Sequence, residues 1–180
     1  TWDKACAHFI APESRYYFCN ENLRSVFYDG SQWEYEKCNK YQIAISQAGY
    51  PIKGLHKVIE TVALLCNEFP DIKVKVGGAN IFGGNWIKGN SYGIYIRQLL
   101  KKYNLQDQFE FEGFLSAEKM KRLLLESNVF VCPSSIENSP NSLGEAMILG
   151  VPCVASDVGG ISDMLTHNEE GFLYPFDDSY

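Results

Sequence analysis

The stretch from Ser127 to Ser156 constrains the fold of this chain more than any other, because an apolar run, a polar turn, a helical repeat and a second apolar run follow one another without a break. SNVFVCP (127 to 133) is the kind of run that forms a buried parallel strand. A polar turn follows. Ser139 is the expected N-cap and Pro140 the first helical residue; Leu143, Ala146 and Met147 recur at helical spacing, and Gly150 falls where the helix should stop. The order strand, turn, helix, strand is the unit from which parallel sheets are wound.

The rest of the chain repeats that order. YQIAIS (41 to 46) is a β-prone run, followed by a turn with Gly49 and Pro51 and then by Leu55, Val58, Ile59, Val62, Ala63 and Cys66 at helical spacing, ended by Phe69-Pro70. IKVKVGG (72 to 78) is a strand closed by two glycines. A Gly/Asn-rich loop leads to Ser91, which can cap a helix carrying Ile96, Leu99, Leu100 and Tyr103. QFEFEGF (108 to 114) alternates, and Ser116 opens a helix with Met120, Leu123 and Leu124 on one face. Strands alternating with helices predict an α/β fold, a Rossmann-like parallel sheet with helices on both faces and ligands at the carboxyl ends of its strands. Residues 1 to 40 do not share the pattern: they are rich in aromatics and charge, with one expected strand at RYYFC (15 to 19).

Within this frame two carboxylates stand out. Glu137 lies on the turn and Glu145 about one and a half turns into the following helix, where a long side chain leans back toward the N-terminus. The amides of Asn141, Ser142 and Leu143 are expected to lack intrahelical partners and to face the strand ends with the positive end of the helix dipole, an arrangement suited to a diphosphate. An ionised carboxylate is an acceptor with two oxygens matched to a vicinal diol, which ribose and hexose both offer. Taken alone, such a pair is more often a solvated turn residue and an exposed helix residue. Lys53, after the first strand and just before a helix, can bring a compact cation to the same edge, although a lone Lys-Gly is more often surface.

The residues around the pair carry a resemblance. Glu137, Glu145, Ala146, Met147, Gly150, Val151 and Pro152 resemble the donor-site signature of the retaining glycosyltransferases of the group 1 family (family 4), enzymes of the GT-B fold. CVASDVGGISDML (153 to 165) is similar to that family's next strand and Gly-Gly turn, with Asp163 where many members carry Glu, and EEGFLYPFDD (169 to 178) to its closing strand. The likeness covers about residues 41 to 180. It implies the C-terminal, donor-binding half of a GT-B enzyme that transfers a hexose from a nucleoside diphosphate sugar, UDP or GDP, to a glycan or lipid-linked acceptor without a metal. Glu137 would contact the sugar near the reacting carbon, Glu145 the ribose, and Lys53 the leaving diphosphate; neither glutamate is read as a nucleophile. Gln47 stands where the family has a phosphate-binding Arg, and so brings no charge. Asn138, Ser139, Asn141, Ser142 and Leu143 complete the expected phosphate and sugar contacts, and Gly113, Phe114 and Leu115 those to the base, although these three read equally as ordinary core residues.

The same resemblance makes residues 1 to 40 the end of an N-terminal domain plus linker, and residues 41 to 180 the nucleotide-sugar domain. The acceptor site, and any peripheral contact with a membrane, would belong to the other half. Trp33 and Tyr35 are expected as exposed aromatics facing that half. A sugar-nucleotide epimerase of the same fold, a glycogen-phosphorylase-like enzyme and a non-catalytic binding module stay open beside the transferase.

Composition narrows the field. A net charge of -6, from 16 basic and 22 acidic residues, argues against nucleic acid as a partner. No GxGxxG or Walker A motif occurs; the nearest match, GANIFGG (78 to 84), lacks the Lys-Ser/Thr that must follow. Six scattered cysteines without a CxxC read as reduced residues of a cytoplasmic protein, at most at the inner face of a membrane, and His8, His56 and His167 are too far apart to suggest a metal site.

Overall fold

The computed structural model describes residues 2–17, 19, 22–83 and 91–177. Among these residues six parallel strands form one sheet: β1 (Asn39–Ile45), β2 (Lys73–Gly77), β3 (Phe109–Gly113), β4 (Ser127–Cys132), β5 (Cys153–Ser156) and β6 (Phe172–Tyr174). Their order is β3-β2-β1-β4-β5-β6, the order of a Rossmann sheet. Five α-helices accompany them among the described residues: α1 (Trp2–Ile10), α2 (Leu55–Leu65), α3 (Ser91–Tyr103), α4 (Ala117–Glu126) and α5 (Asn141–Ile148).

Alternation along β1 explains why both faces are covered. Ile45 points into a core with Leu55, Ile59 and Val62 of α2 and Ile96 and Leu100 of α3; Ala44 points the other way, into a core with Leu124 of α4, Leu143 and Ala146 of α5, and Phe130. The helices predicted from periodicity bury the expected residues, and Ser116 caps α4, its hydroxyl accepting from the Lys119 amide at 3.3 Å. At α5 the start moves by one residue. Pro140, with an extended ψ of 109°, is the cap in place of Ser139, whose hydroxyl donates instead to Met164 Sδ at 3.7 Å. Ser91 is the first residue of α3, and part of the expected Gly/Asn-rich loop, 84 to 90, lies outside the described residues.

The segment before β1 departs further from expectation. The predicted strand at 15 to 19 is absent among its described residues, since no sheet edge pairs with it and an isolated strand cannot satisfy its own backbone. Trp33 is not an exposed aromatic: it packs against the second core and its indole N–H donates to the Ser127 carbonyl at 2.7 Å, while Tyr35 is exposed. Phe27 is fully buried in the same core. Lys121 ties this segment to α4, donating to the Val26 carbonyl at 3.1 Å and to Asp29, whose carboxyl its hydrogen bond holds at about 2. None of the described helices is long and apolar enough to cross a membrane.

Candidate functional site at the switch point of the sheet

Strand order reverses direction between β1 and β4: from β1 the chain winds outward through β2 and β3, then returns to β4 on the other side. Loops leaving the carboxyl ends of these two strands therefore diverge and leave a crevice. A cavity of about 530 Å³ occupies it, within the range of small-molecule sites. Gln47 and Lys53 line it from the β1 side, Ser134 and Glu137 from the β4 loop, and Asn141, Ser142 and Glu145 from α5.

Close backbone contacts deliver the charged groups. Residues Pro51–Lys53 form a 3₁₀ turn ended by Gly54, whose φ of 72° is left-handed. A side chain there would place its Cβ 1.7 Å from the Pro133 carbonyl oxygen, so only glycine lets this turn lie on the end of β4. The Ser135 amide then donates to the Ile52 carbonyl at 2.8 Å, and Lys53 meets Glu137 in a short charged hydrogen bond. From the opposite side, the Glu137 loop rests on the glycine turn after β5. A Cβ at Gly159 (φ 56°) would fall 1.8 Å from the Glu137 carbonyl oxygen, and the Gly160 amide donates to that oxygen at 3.2 Å. The Ser134 hydroxyl donates to Glu137 Oε1 at 2.9 Å, which fixes the carboxylate facing the cavity.

Glu145 is not an exposed helix residue: it is 2% exposed and reaches the cavity wall, as a backward-leaning helical side chain should. Its charge is matched by Arg24, which donates from Nε to Oε1 at 2.6 Å and from Nη2 to Oε2 at 2.7 Å. Arg24 comes from the segment before β1, 121 residues away in sequence, and no local spacing marks it. Its hydrogen bond to Glu145 raises the guanidinium pKa, so the group stays charged throughout.

Not all expected positions meet the cavity. Phe114, 85% exposed, and Leu115 line it, so Phe114 is not a core residue; Gly113 lies beside them without lining it. Asn138 and Ser139 stay outside the lining, with the Asn138 carbonyl packed against Gly160. Leu143 is fully buried in the core, and its amide is not free: it donates to the Pro140 carbonyl at 2.9 Å, because that carbonyl closes the first turn of α5. Among the described residues the amides of Asn141 and Ser142 have no acceptor and line the mouth. No group of three or more metal-ligating side chains occurs among the described residues.

Comparison with known proteins places this geometry in a family. A model described as "Glycosyl transferases group 1" matches residues 32–179. The amylovoran biosynthesis glycosyltransferase AmsK of Erwinia amylovora is 37% identical over 82 residues, covering 42% of this chain and 20% of that protein. The uncharacterized glycosyltransferase YqgM of Bacillus subtilis is 30% identical over 126 residues, 70% of this chain and 32% of that protein. The crystal structure of Anabaena Alr3699/HepE in complex with UDP superposes with a TM-score of 0.68 at 24% identity, over 78% of this chain and 36% of that one, a likeness of fold. The chain spans about 30% of the length of the first curated relatives it matches. Its sheet is the Rossmann-like C-terminal half of a GT-B fold, and with a family match that takes in every residue of the candidate site except Arg24, the chain belongs to the group 1 glycosyl transferases.

Proposed function

We propose that the crevice between β1 and β4 binds a nucleoside diphosphate sugar and that the chain supplies the donor half of a hexosyl transfer that retains anomeric configuration. The observation that carries this reading is the convergence, on one cavity, of the Lys53–Glu137 pair, two helix amides without acceptors and the buried carboxylate of Glu145. In this arrangement the Asn141 and Ser142 amides and the Lys53 ammonium receive the diphosphate. Glu145 accepts from the ribose hydroxyls, Glu137 from the sugar near its reacting carbon, and Phe114 and Leu115 face the base.

The chemistry asked of these groups is electrostatic. As the bond from the sugar C1 to the diphosphate oxygen breaks, negative charge grows on that oxygen, and a nearby ammonium with oriented amides stabilises it more in the transition state than in the ground state. The acceptor hydroxyl oxygen bonds to C1 as the bond to the diphosphate breaks, and its proton passes to the departing diphosphate oxygen. No step needs a metal. An acceptor hydroxyl on a growing glycan or lipid-linked sugar agrees with the amylovoran biosynthesis in the name of AmsK; the cytoplasm is where we place the reaction.

Uracil is the first base to test, since the fold neighbour from Anabaena was crystallised with UDP and with UDP-glucose. Thermal melts of the protein with UDP, GDP, ADP and their glucose conjugates should single out one base. Ligand at about 100 times its dissociation constant adds about 2.7 kcal/mol, some 5–10 °C for a domain of this size, and chelator should leave the shift unchanged. A protein stabilised by none of the three diphosphates would refute the reading.

A further inference from the structure

The cavity holds two cations and two carboxylates among its described lining residues, Arg24 and Lys53 against Glu137 and Glu145, and they are paired one to one. Gln47, on the same wall, is uncharged. Lys53 therefore faces any anion with its charge already balanced by Glu137, and a diphosphate on Lys53 and the Asn141 and Ser142 amides still lacks a second cation. Arg24 is built to supply it. A guanidinium carries five N–H donors, and the two on Glu145 leave three without an acceptor among the described residues. The side chain is 45% exposed although its partner is buried, so these donors lie on the open side of the pair. Its orientation is fixed twice over: by the bidentate bond to Glu145, and by stacking over the Phe27 ring at 5.2 Å from the centroid, with Phe27 itself immobilised in the core.

Resting on the nucleotide-sugar reading of the same cavity, we propose that Arg24 is a donor-binding residue: it keeps its bond to Glu145 and turns its remaining N–H groups to the diphosphate, which is held between Arg24 and Lys53. The carboxylate of Glu145 is left with the lone pairs not facing Arg24 for the ribose hydroxyls. One guanidinium thus couples ribose recognition to phosphate recognition. The segment before β1 is, on this account, part of the binding site and not only a connection packed against it.

Calorimetric titration separates this role from a purely structural one. The ligands are the diphosphate and the free nucleoside of the base selected by the thermal melts, with wild type, Arg24→Gln and Arg24→Lys. Arg24→Gln should weaken the diphosphate roughly tenfold to a hundredfold and change nucleoside affinity less than about threefold. Arg24→Lys should recover part of the loss, a point charge replacing a fork. Equal losses for both ligands would show that Arg24 acts only through Glu145, and an unchanged diphosphate affinity would show no contact; either overturns the proposal. Should Arg24→Gln not fold, arginine modification of wild type by phenylglyoxal, mapped by peptide mass spectrometry, decides the matter. Diphosphate but not nucleoside should protect Arg24, and equal protection or none overturns the role. Failure of the nucleotide reading itself is recognised separately, as wild type that binds no nucleoside diphosphate at all, and the role of Arg24 falls with it.

Discussion

Replacing Gly54 by Ala tests how Lys53 is brought to Glu137, and the structure provides its own control. Gly30 has a φ of 82°, close to the 72° of Gly54, but nothing lies within 4 Å of its Cβ position. Ala in a left-handed conformation costs about 1–2 kcal/mol, and the lost freedom of the unfolded chain returns about 0.4–1. Gly30→Ala should therefore destabilise by roughly 0–1.5 kcal/mol. At Gly54 the new methyl would also sit 1.7 Å from the Pro133 oxygen, a backbone atom that cannot rotate away, where ordinary contact needs about 3.5 Å. The turn at Pro51–Lys53 has to lift off β4, breaking the 2.8 Å bond from the Ser135 amide to the Ile52 carbonyl at an added cost of about 1–3 kcal/mol. The sum, about 1–4.5 kcal/mol, corresponds to a melting point lower by roughly 2–18 °C. Because Lys53 moves with the turn, nucleoside diphosphate affinity should fall with stability. Calorimetric melting of both variants, followed by titration at a temperature where each is folded, reads both effects. If Gly54→Ala melts within about 2 °C of Gly30→Ala and binds diphosphate like wild type, the close backbone contact does not position Lys53.

Three further outcomes follow from particular contacts. Glu145→Ala should weaken nucleoside diphosphate binding by about 1.5–3 kcal/mol even without the sugar, whereas Glu137→Ala should remove only the extra affinity contributed by the hexose; equal losses with the sugar-free ligand would refute that division. Trp33→Phe should cost about 1–3 kcal/mol in denaturant unfolding by orphaning the Ser127 carbonyl, with nucleotide affinity intact, and unchanged stability would mean that the segment before β1 adds nothing to the domain. Burial pushes the Cys132 thiol up to about 11 and Cys153 to about 12, so iodoacetamide at pH 8 should spare both in the folded protein while labelling exposed Cys19, and rapid labelling of Cys132 would contradict its burial.

What the amino-acid sequence determined by itself is whatever depends on near neighbours. Apolar period and turn residues were enough to place the first four strands and the four helices from α2 to α5, to within one or two residues, because each such element is decided by side chains two to four positions apart; β5 and β6 were located by the family resemblance. The same locality let Glu137, Glu145, Asn141 and Ser142 be assigned to one site, since a single turn and helix carry them all. Lys53 joined them because parallel strands bring their carboxyl ends to one edge. Only the tertiary structure decided who neutralises Glu145. The charge of Arg24 is legible at position 24, but its partner depends on how an irregular segment with no periodicity drapes over α4 and α5, anchored by Phe27, Trp33 and Lys121. The left-handed glycines are similar. Gly54 and Gly159 read as ordinary turn residues, and their need to be glycine comes from carbonyls 79 and 22 positions away, Pro133 minus Gly54 and Gly159 minus Glu137. Whether Leu143 offers its amide to a ligand also turned on one distant-looking detail, the extended ψ of Pro140, which closed the first turn of α5 one residue later than its composition suggests.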